Sequence, residues 1–141
     1  MNIGIIGLGY VGLPLAAALS KKHTVYGMDI NANRIARLKQ FKDDTQELTS
    51  DQLKKVVGVG LHLTTEIESL ADCSVFIITV PTPVTKNNIP DLSPVIKATE
   101  AVAGIVKEGD IIVYESTVYP GVTNDFCINI LEKKSKLNEN R

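Results

Sequence analysis

The most constraining feature of the chain is Gly7-Leu8-Gly9-Tyr10-Val11-Gly12, a G-x-G-x-x-G turn. It follows a short apolar run, Ile3 to Ile6, and opens into Leu13-Pro14-Leu15-Ala16-Ala17-Ala18-Leu19, which reads as a helix. Strand, glycine turn and helix in this order give such a match its meaning. Gly7 lets the chain turn sharply out of the strand, Gly9 lets a pyrophosphate approach the backbone, and Gly12 lets the helix sit close on the strand. The first turn of that helix offers unpaired N–H groups and a partial positive charge, both suited to phosphate oxygens. Pro14 falls in that turn, where a missing N–H costs little.

Glycine turns between strand and helix are common, and the same turn serves FAD proteins. The next strand narrows the reading to a dinucleotide. Thr24-Val25-Tyr26-Gly27-Met28 alternates and ends in Asp29, about 20 residues after the motif, where a ribose-binding carboxylate belongs. Asn31, just beyond, is the better N-cap for the following helix. A carboxylate at this place accepts from ribose hydroxyls, each charge-assisted bond contributing roughly 1.5–3 kcal/mol. A 2′-phosphate would meet a like charge, at about 4 kcal/mol per unit charge for ~4 Å and an effective dielectric near 20. That is roughly a thousandfold preference for NAD over NADP. Arg34, one turn into the next helix, is spaced either for the adenosine ribose edge or for a surface ion pair.

The bulk numbers exclude several partners. The chain has 141 residues, 44% hydrophobic and 22% charged, with net charge −1, enough for one domain with a real core. A near-zero net charge without a Lys/Arg cluster argues against nucleic acid or an anionic membrane surface. No apolar run approaches the ~20 residues of a membrane span, and no signal peptide is visible. Cys73 and Cys127 lack metal-ligand spacing and lie among apolar residues, so they read as reduced core cysteines of a cytoplasmic protein. His62 should point away from the core of its strand and, like His23, reads as a surface residue rather than a ligand.

Taken in order, the chain alternates strands and helices. Ala32 to about Gln40 is a helix with Ile35 and Leu38 on one face, and Lys42 to Thr49 is a polar loop. Ser50 or Asp51 caps a short helix through Val57, and Leu61 to Thr64 is a short strand. Thr65-Glu66-Ile67-Glu68 has capping-box spacing and starts another short helix. Ser74 to Val80 is a buried strand, apolar throughout as parallel strands are. Asp91 or Ser93 caps the next helix, whose apolar face is Val95, Ala98, Val102 and Ile105 and which Gly109 ends. Ile111 to Tyr114 is the last buried strand, and a closing helix from about Val122 puts Phe126, Ile130 and Leu131 on the core. The pattern predicts an α/β fold: a single Rossmann-type, doubly wound, mostly parallel sheet in strand order 3-2-1-4-5, with ligand at the carboxyl ends where the order reverses. Three loops should meet there: the glycine turn, Val80 to Val84, and Glu115 to Gly121. Ser116 reads as turn punctuation, whereas Thr82 and Thr117 are better placed to touch a nicotinamide and its ribose.

These loops together make the chain recognisable. Gly7-Leu8-Gly9-Tyr10-Val11-Gly12-Leu13-Pro14, Asp29 with Arg34-Ile35, Val80-Pro81-Thr82-Pro83 and Glu115-Ser116-Thr117-Val118-Tyr119-Pro120-Gly121 closely resemble the UDP-glucose/GDP-mannose dehydrogenase family. The resemblance falls on that family's N-terminal NAD-binding domain, and the wording of the last two loops is most similar to the branch acting on UDP-N-acetylhexosamines. It implies oxidation of C6 of a nucleotide sugar from alcohol to carboxylate with two NAD, the two hydride transfers bracketing a thiohemiacetal on a catalytic cysteine. It implies that Gly7, Gly9, Tyr10, Val11 and Gly12 cradle the cofactor, with the Val11 N–H on the pyrophosphate. Asp29 and Arg34 would hold the adenosine ribose, and Thr82 would lie on the nicotinamide side. Thr117 would stand between cofactor and reacting centre as an assisting catalytic residue. A UDP-sugar substrate and a homo-oligomer are implied for the full-length protein.

The resemblance divides the chain into an NAD-binding domain over residues 1–133 and a charged tail over 134–141. The family's catalytic lysine, asparagine, glutamate and nucleophilic cysteine, its long linking helix and its UDP-binding domain have no match here. The expectation is a fragment that binds NAD and does not turn over, with a bare sheet edge open to pairing with a second copy. Two rivals stay in view. A β-hydroxyacid dehydrogenase opens with a similar turn but usually has Met where this chain has Val11. A nucleotide-sensing domain that gates ion transport shares the turn and the strand-end Asp, but has no reason to carry Ser116 to Pro120.

Overall fold

The computed structural model describes residues 1–116 and 121–137, with Asn124 and Asp125 described for their backbone alone. Five parallel strands, β1 (Asn2–Ile6), β2 (Thr24–Met28), β3 (Leu61–Thr64), β4 (Val75–Ile78) and β5 (Ile111–Tyr114), form one sheet in the order β3-β2-β1-β4-β5. This is the order that the alternation of elements predicted. Helices α1 (Gly12–Leu19), α2 (Ala32–Lys39), α3 (Ser50–Val56) and α4 (Ser93–Ala103) lie in the crossovers, and α5 (Asn129–Ser135) follows β5.

The period-2 alternation of the strands sorts the core into two layers. Ile3, Ile5, Val25, Leu61 and Ile77 face α1, α2 and α3, where Leu13, Ala16, Ile35, Leu38 and Leu53 close over them. Ile6, Met28, Phe76 and Ile78 face the other way, against Leu70, Ala98 and Val102. Each fully buried Leu, Ile or Phe contributes about 1.5–3 kcal/mol, and both faces of β1 and β4 are covered. His62 is exposed, as the alternation of β3 requires, and its ring lies 5.2 Å from that of Tyr26 on the neighbouring strand.

Several local expectations are corrected. The cap of α3 is Thr49, not Ser50 or Asp51: its hydroxyl accepts the Gln52 N–H while the Gln52 side chain accepts the Thr49 N–H, a complete capping box. The spacing at Thr65 to Glu68 yields no such box. The Thr64 hydroxyl takes the Glu66 N–H instead, and a single 3-10 turn, Ile67–Leu70, drops Leu70 into the core. α4 ends at Gly104, and Gly109 serves the turn into β5 with φ of +90°. Asp91 caps less than expected: it accepts the N–H of Ser93 and no side chain caps the residue before the helix.

β5 is not a buried strand. Among the described residues it pairs only with β4, and Ile111 is 57% exposed. The closing helix begins with a π-helical stretch, Thr123–Ile128. Its wider turn puts Val122 and Cys127, five residues apart, into the core and leaves Phe126 44% exposed. Ile130 and Leu131 are half-buried, and Leu131 packs against the second core layer as expected. Among the described residues no helix is long and apolar enough to cross a membrane.

Candidate dinucleotide site

Register brings the site together. Ile6, Met28 and Ile78 lie side by side in β1, β2 and β4, so Gly7, Asp29 and Thr79 leave the sheet at one level. The Gly7 N–H donates to the Met28 carbonyl at 2.8 Å and the Thr79 N–H to the Ile6 carbonyl at 2.9 Å. Gly7 then turns with φ of +98°, a conformation that β-carbon-bearing residues avoid.

Thr79, which the sequence reading passed over, locks that turn. Its buried hydroxyl donates to the Gly7 carbonyl at 2.6 Å. A Cβ on Gly12 would overlap both that carbonyl oxygen and the Thr79 hydroxyl. Gly12 is therefore required by the interlock beneath the helix. Gly9 differs: a Cβ there would meet no atom within 4 Å, so its lack of a side chain serves whatever approaches from outside. α1 has no side-chain cap and no acidic residue in its first turn. Leu13 makes the first helical bond, to the Gly9 carbonyl, and the N–H groups of Tyr10, Val11 and Gly12 ahead of it have no acceptor among the described residues. Free amides at the positive end of a helix suit a diphosphate.

Asp29 stands beside the turn. Oδ2 accepts the Leu8 N–H and Oδ1 the Asn31 N–H, both at 2.9 Å. Two bonds leave the carboxylate with acceptor capacity for ribose hydroxyls. Asn31 caps α2 through the Arg34 N–H at 3.2 Å.

Arg34 forms no surface pair. It is 9% exposed; its Nε donates to the Leu8 carbonyl at 2.8 Å, one terminal nitrogen to Asp43 at 2.8 Å and the other to the Thr45 hydroxyl at 3.4 Å. The polar stretch after α2 is thereby a knot rather than a slack loop. The Asp43 carboxylate also accepts from the Thr45 hydroxyl and from the N–H groups of Thr45, Glu47 and Leu48. Burial alone would raise its pKa. The hydrogen bonds from Thr45, Leu48 and Arg34 outweigh that and lower it to about 2 from the usual 3.8. A depressed carboxylate pKa contributes stability that is present above the unfolded value and lost as pH falls toward the folded one. The urea midpoint should therefore drop between about pH 4 and pH 2 by an amount worth on the order of 2 kcal/mol, and Asp43→Asn should remove most of that dependence.

The turn, the knot and α4 enclose a cleft of about 600 Å³. Gly7, Leu8, Gly9, Asp29, Asn31, Arg34 and Thr45 line one side, and Val80, Pro81, Asp91, Pro94 and Lys97 the other. Thr82 is half-buried, one residue past Pro81. The Ser116 hydroxyl donates to the Val80 carbonyl at 2.7 Å, a structural tie between the exits of β4 and β5. Thr117 lies outside the described residues. A groove of about 700 Å³ beside the β5 edge and α5 shares none of these residues, so the chemistry points to the smaller cleft.

The α4 wall, Thr79 and Asp43 were missed by sequence reasoning. Thr79 had a signal, a lone hydroxyl closing an apolar strand. Asp43 had only an Asp two residues before a Thr in a polar stretch.

Comparison with known proteins agrees with the geometry. Residues 1–141 match the UDP-glucose/GDP-mannose dehydrogenase family, NAD binding domain. A UDP-N-acetyl-D-glucosamine 6-dehydrogenase of Pseudomonas aeruginosa is 48% identical over 140 residues, 99% of this chain and 33% of that protein. The structure of a UDP-D-ManNAc dehydrogenase from Pyrococcus horikoshii superposes with a TM-score of 0.92 at 34% identity, over 99% of this chain and 34% of that one. A ternary complex of GDP-mannose dehydrogenase from P. aeruginosa gives 0.90 at 30% identity, over 98% and 33%. The chain thus spans about a third of the length of the relatives it matches.

Proposed function

We propose a function from one premise: the chain belongs to the UDP-glucose/GDP-mannose dehydrogenase family, as an NAD-binding domain. In this reading NAD lies in the cleft over the glycine turn, its pyrophosphate on the N–H groups of Tyr10 and Val11. Asp29 takes the adenosine ribose hydroxyls, Arg34 walls the same end, and Thr82 and Thr117 serve the nicotinamide end. In a protein of the relatives' length, the domain serves oxidation of C6 of a UDP-sugar, a UDP-N-acetylhexosamine by the relatives' names, to the uronate. NAD supplies the hydride acceptor for each of the two oxidations. The residues of this chain bind and orient it: the Thr79–Gly7–Gly12 interlock fixes the amides, and the Asp43 knot fixes the ribose wall.

The observation that carries the reading is Gly9 facing open space above uncapped amides, with the Asp29 carboxylate alongside. The 141 residues alone should bind without turnover. Nucleophilic cysteines need an accessible thiolate. Cys73 and Cys127 are 3% and 1% exposed, and neither lines the cleft. Burial, with Asp72 and Asp110 adding to it, pushes the Cys73 thiol up to about 11. Calorimetry should show one site for NAD, NADP binding at least a hundredfold more weakly, and no NADH formed when a UDP-N-acetylhexosamine is added. Absence of NAD binding would overturn the assignment.

A further inference from the structure

An arginine near the strand-end acid is the group that accommodates a 2′-phosphate in NADP-binding sheets of this kind. Arg34 stands at that place, lines the cleft, and yet is engaged elsewhere. Three of its five N–H donors are committed to the Leu8 carbonyl, Asp43 and Thr45. Asp43, its ionic partner at 2.8 Å, has a wholly buried side chain, so the pair is shielded from solvent and salt. Around the adenosine end the formal charges are Asp29 −1, Arg34 +1 and Asp43 −1, which leaves −1. Asp91 and Lys97 across the cleft are of opposite sign, and the nearby Asp44 is paired with Arg37. Neither changes that balance.

We propose that Asp43 is a specificity-determining residue: by holding and neutralising Arg34, it keeps the adenosine end of the cleft negative and closes it to a 2′-phosphate. The idea rests on the NAD-binding reading above. A 2′-phosphate brings about −1.5 to −2 charge at neutral pH, so the local sum decides its reception. Asp29 sets the sign directly, and Asp43 neutralises Arg34, the cation beside it. Asp43 acts through Arg34 and is a positioning residue, not a ligand.

The test is the ratio of NAD to NADP dissociation constants, measured by calorimetry on the wild-type chain, on Asp43→Asn, and on the double variant Asp43→Asn/Arg34→Met. Freed from its partner, Arg34 should raise the relative affinity for NADP at least tenfold in the single variant. The gain should vanish in the double variant, which has no arginine to release. A merely structural role for Asp43 would weaken both cofactors together and leave the ratio alone. Asp43→Asn that binds NAD with an unchanged ratio overturns the proposal, as does an equal gain in the double variant. Should Asp43→Asn fail to fold, Asp43→Ser keeps an oxygen for the turn amides without the charge and is judged by the same ratio. Failure of the wild-type chain to bind NAD overturns the NAD reading itself, which is a separate result.

Discussion

Gly12→Ala should abolish measurable NAD binding and destabilise the domain by about 2–5 kcal/mol, from overpacking and a broken buried hydrogen bond together. The new methyl group has no room. Its position is taken by the Gly7 carbonyl oxygen and the Thr79 hydroxyl, themselves bonded at 2.6 Å. To admit it, α1 must lift from the sheet or the Thr79 bond must break. Either shift moves the Tyr10 and Val11 amides, so binding and stability fall together. Gly9→Ala is the control. Its methyl group meets no atom within 4 Å, so the urea midpoint should stay put while NAD binding falls, the methyl standing where a pyrophosphate would approach. Equal stability losses in the two variants would refute this division of labour among the glycines. NAD binding by Gly9→Ala at wild-type affinity would refute it as well.

The parts of this molecule that could be read from sequence are those set by near neighbours. The glycine turn and the Asn31 cap act within a few residues of the element they serve, and Asp29 closes a strand at a fixed interval after the turn it braces. Strand order followed from alternation, because right-handed parallel crossovers leave few arrangements. What escaped reading depends on partners distant along the chain. The Thr79 hydroxyl meets a carbonyl 72 positions earlier, a contact created only by the parallel register of β1 and β4. Asp43 gathers backbone amides two to five residues on, but its ionic partner is Arg34 on the helix before it. An isolated polar stretch cannot announce such closure. The misreading of β5 has another origin. Ile111 to Tyr114 is as apolar as a buried strand, and composition does not say that only one neighbour pairs with it. A 3.6-residue period puts Phe126 inside, whereas the π-helical stretch carries Cys127 inward in its place.

Asp29→Asn should weaken NAD binding by one to two orders of magnitude and reduce discrimination against NADP from roughly a thousandfold to about tenfold. The first effect combines two losses. Charge-assisted bonds to the ribose, each worth roughly 1.5–3 kcal/mol, become neutral ones. The amide also cannot accept from both the Leu8 and Asn31 N–H groups as the two carboxylate oxygens do, so one donor at the turn is left facing another donor. The second effect comes from charge alone. With Asp29 neutral, the formal sum of Arg34 and Asp43 is zero, and a 2′-phosphate no longer meets net repulsion, though Arg34 stays held by Asp43 and does not turn toward it. Residual discrimination then reflects the committed geometry of Arg34. Dissociation constants for both cofactors, measured on this variant and the wild type at two salt concentrations, separate the terms, since the charge effect shrinks with screening and the lost turn contact does not. A variant that weakens NAD and NADP by the same factor would mean that the carboxylate only braces the turn and does not face the ribose.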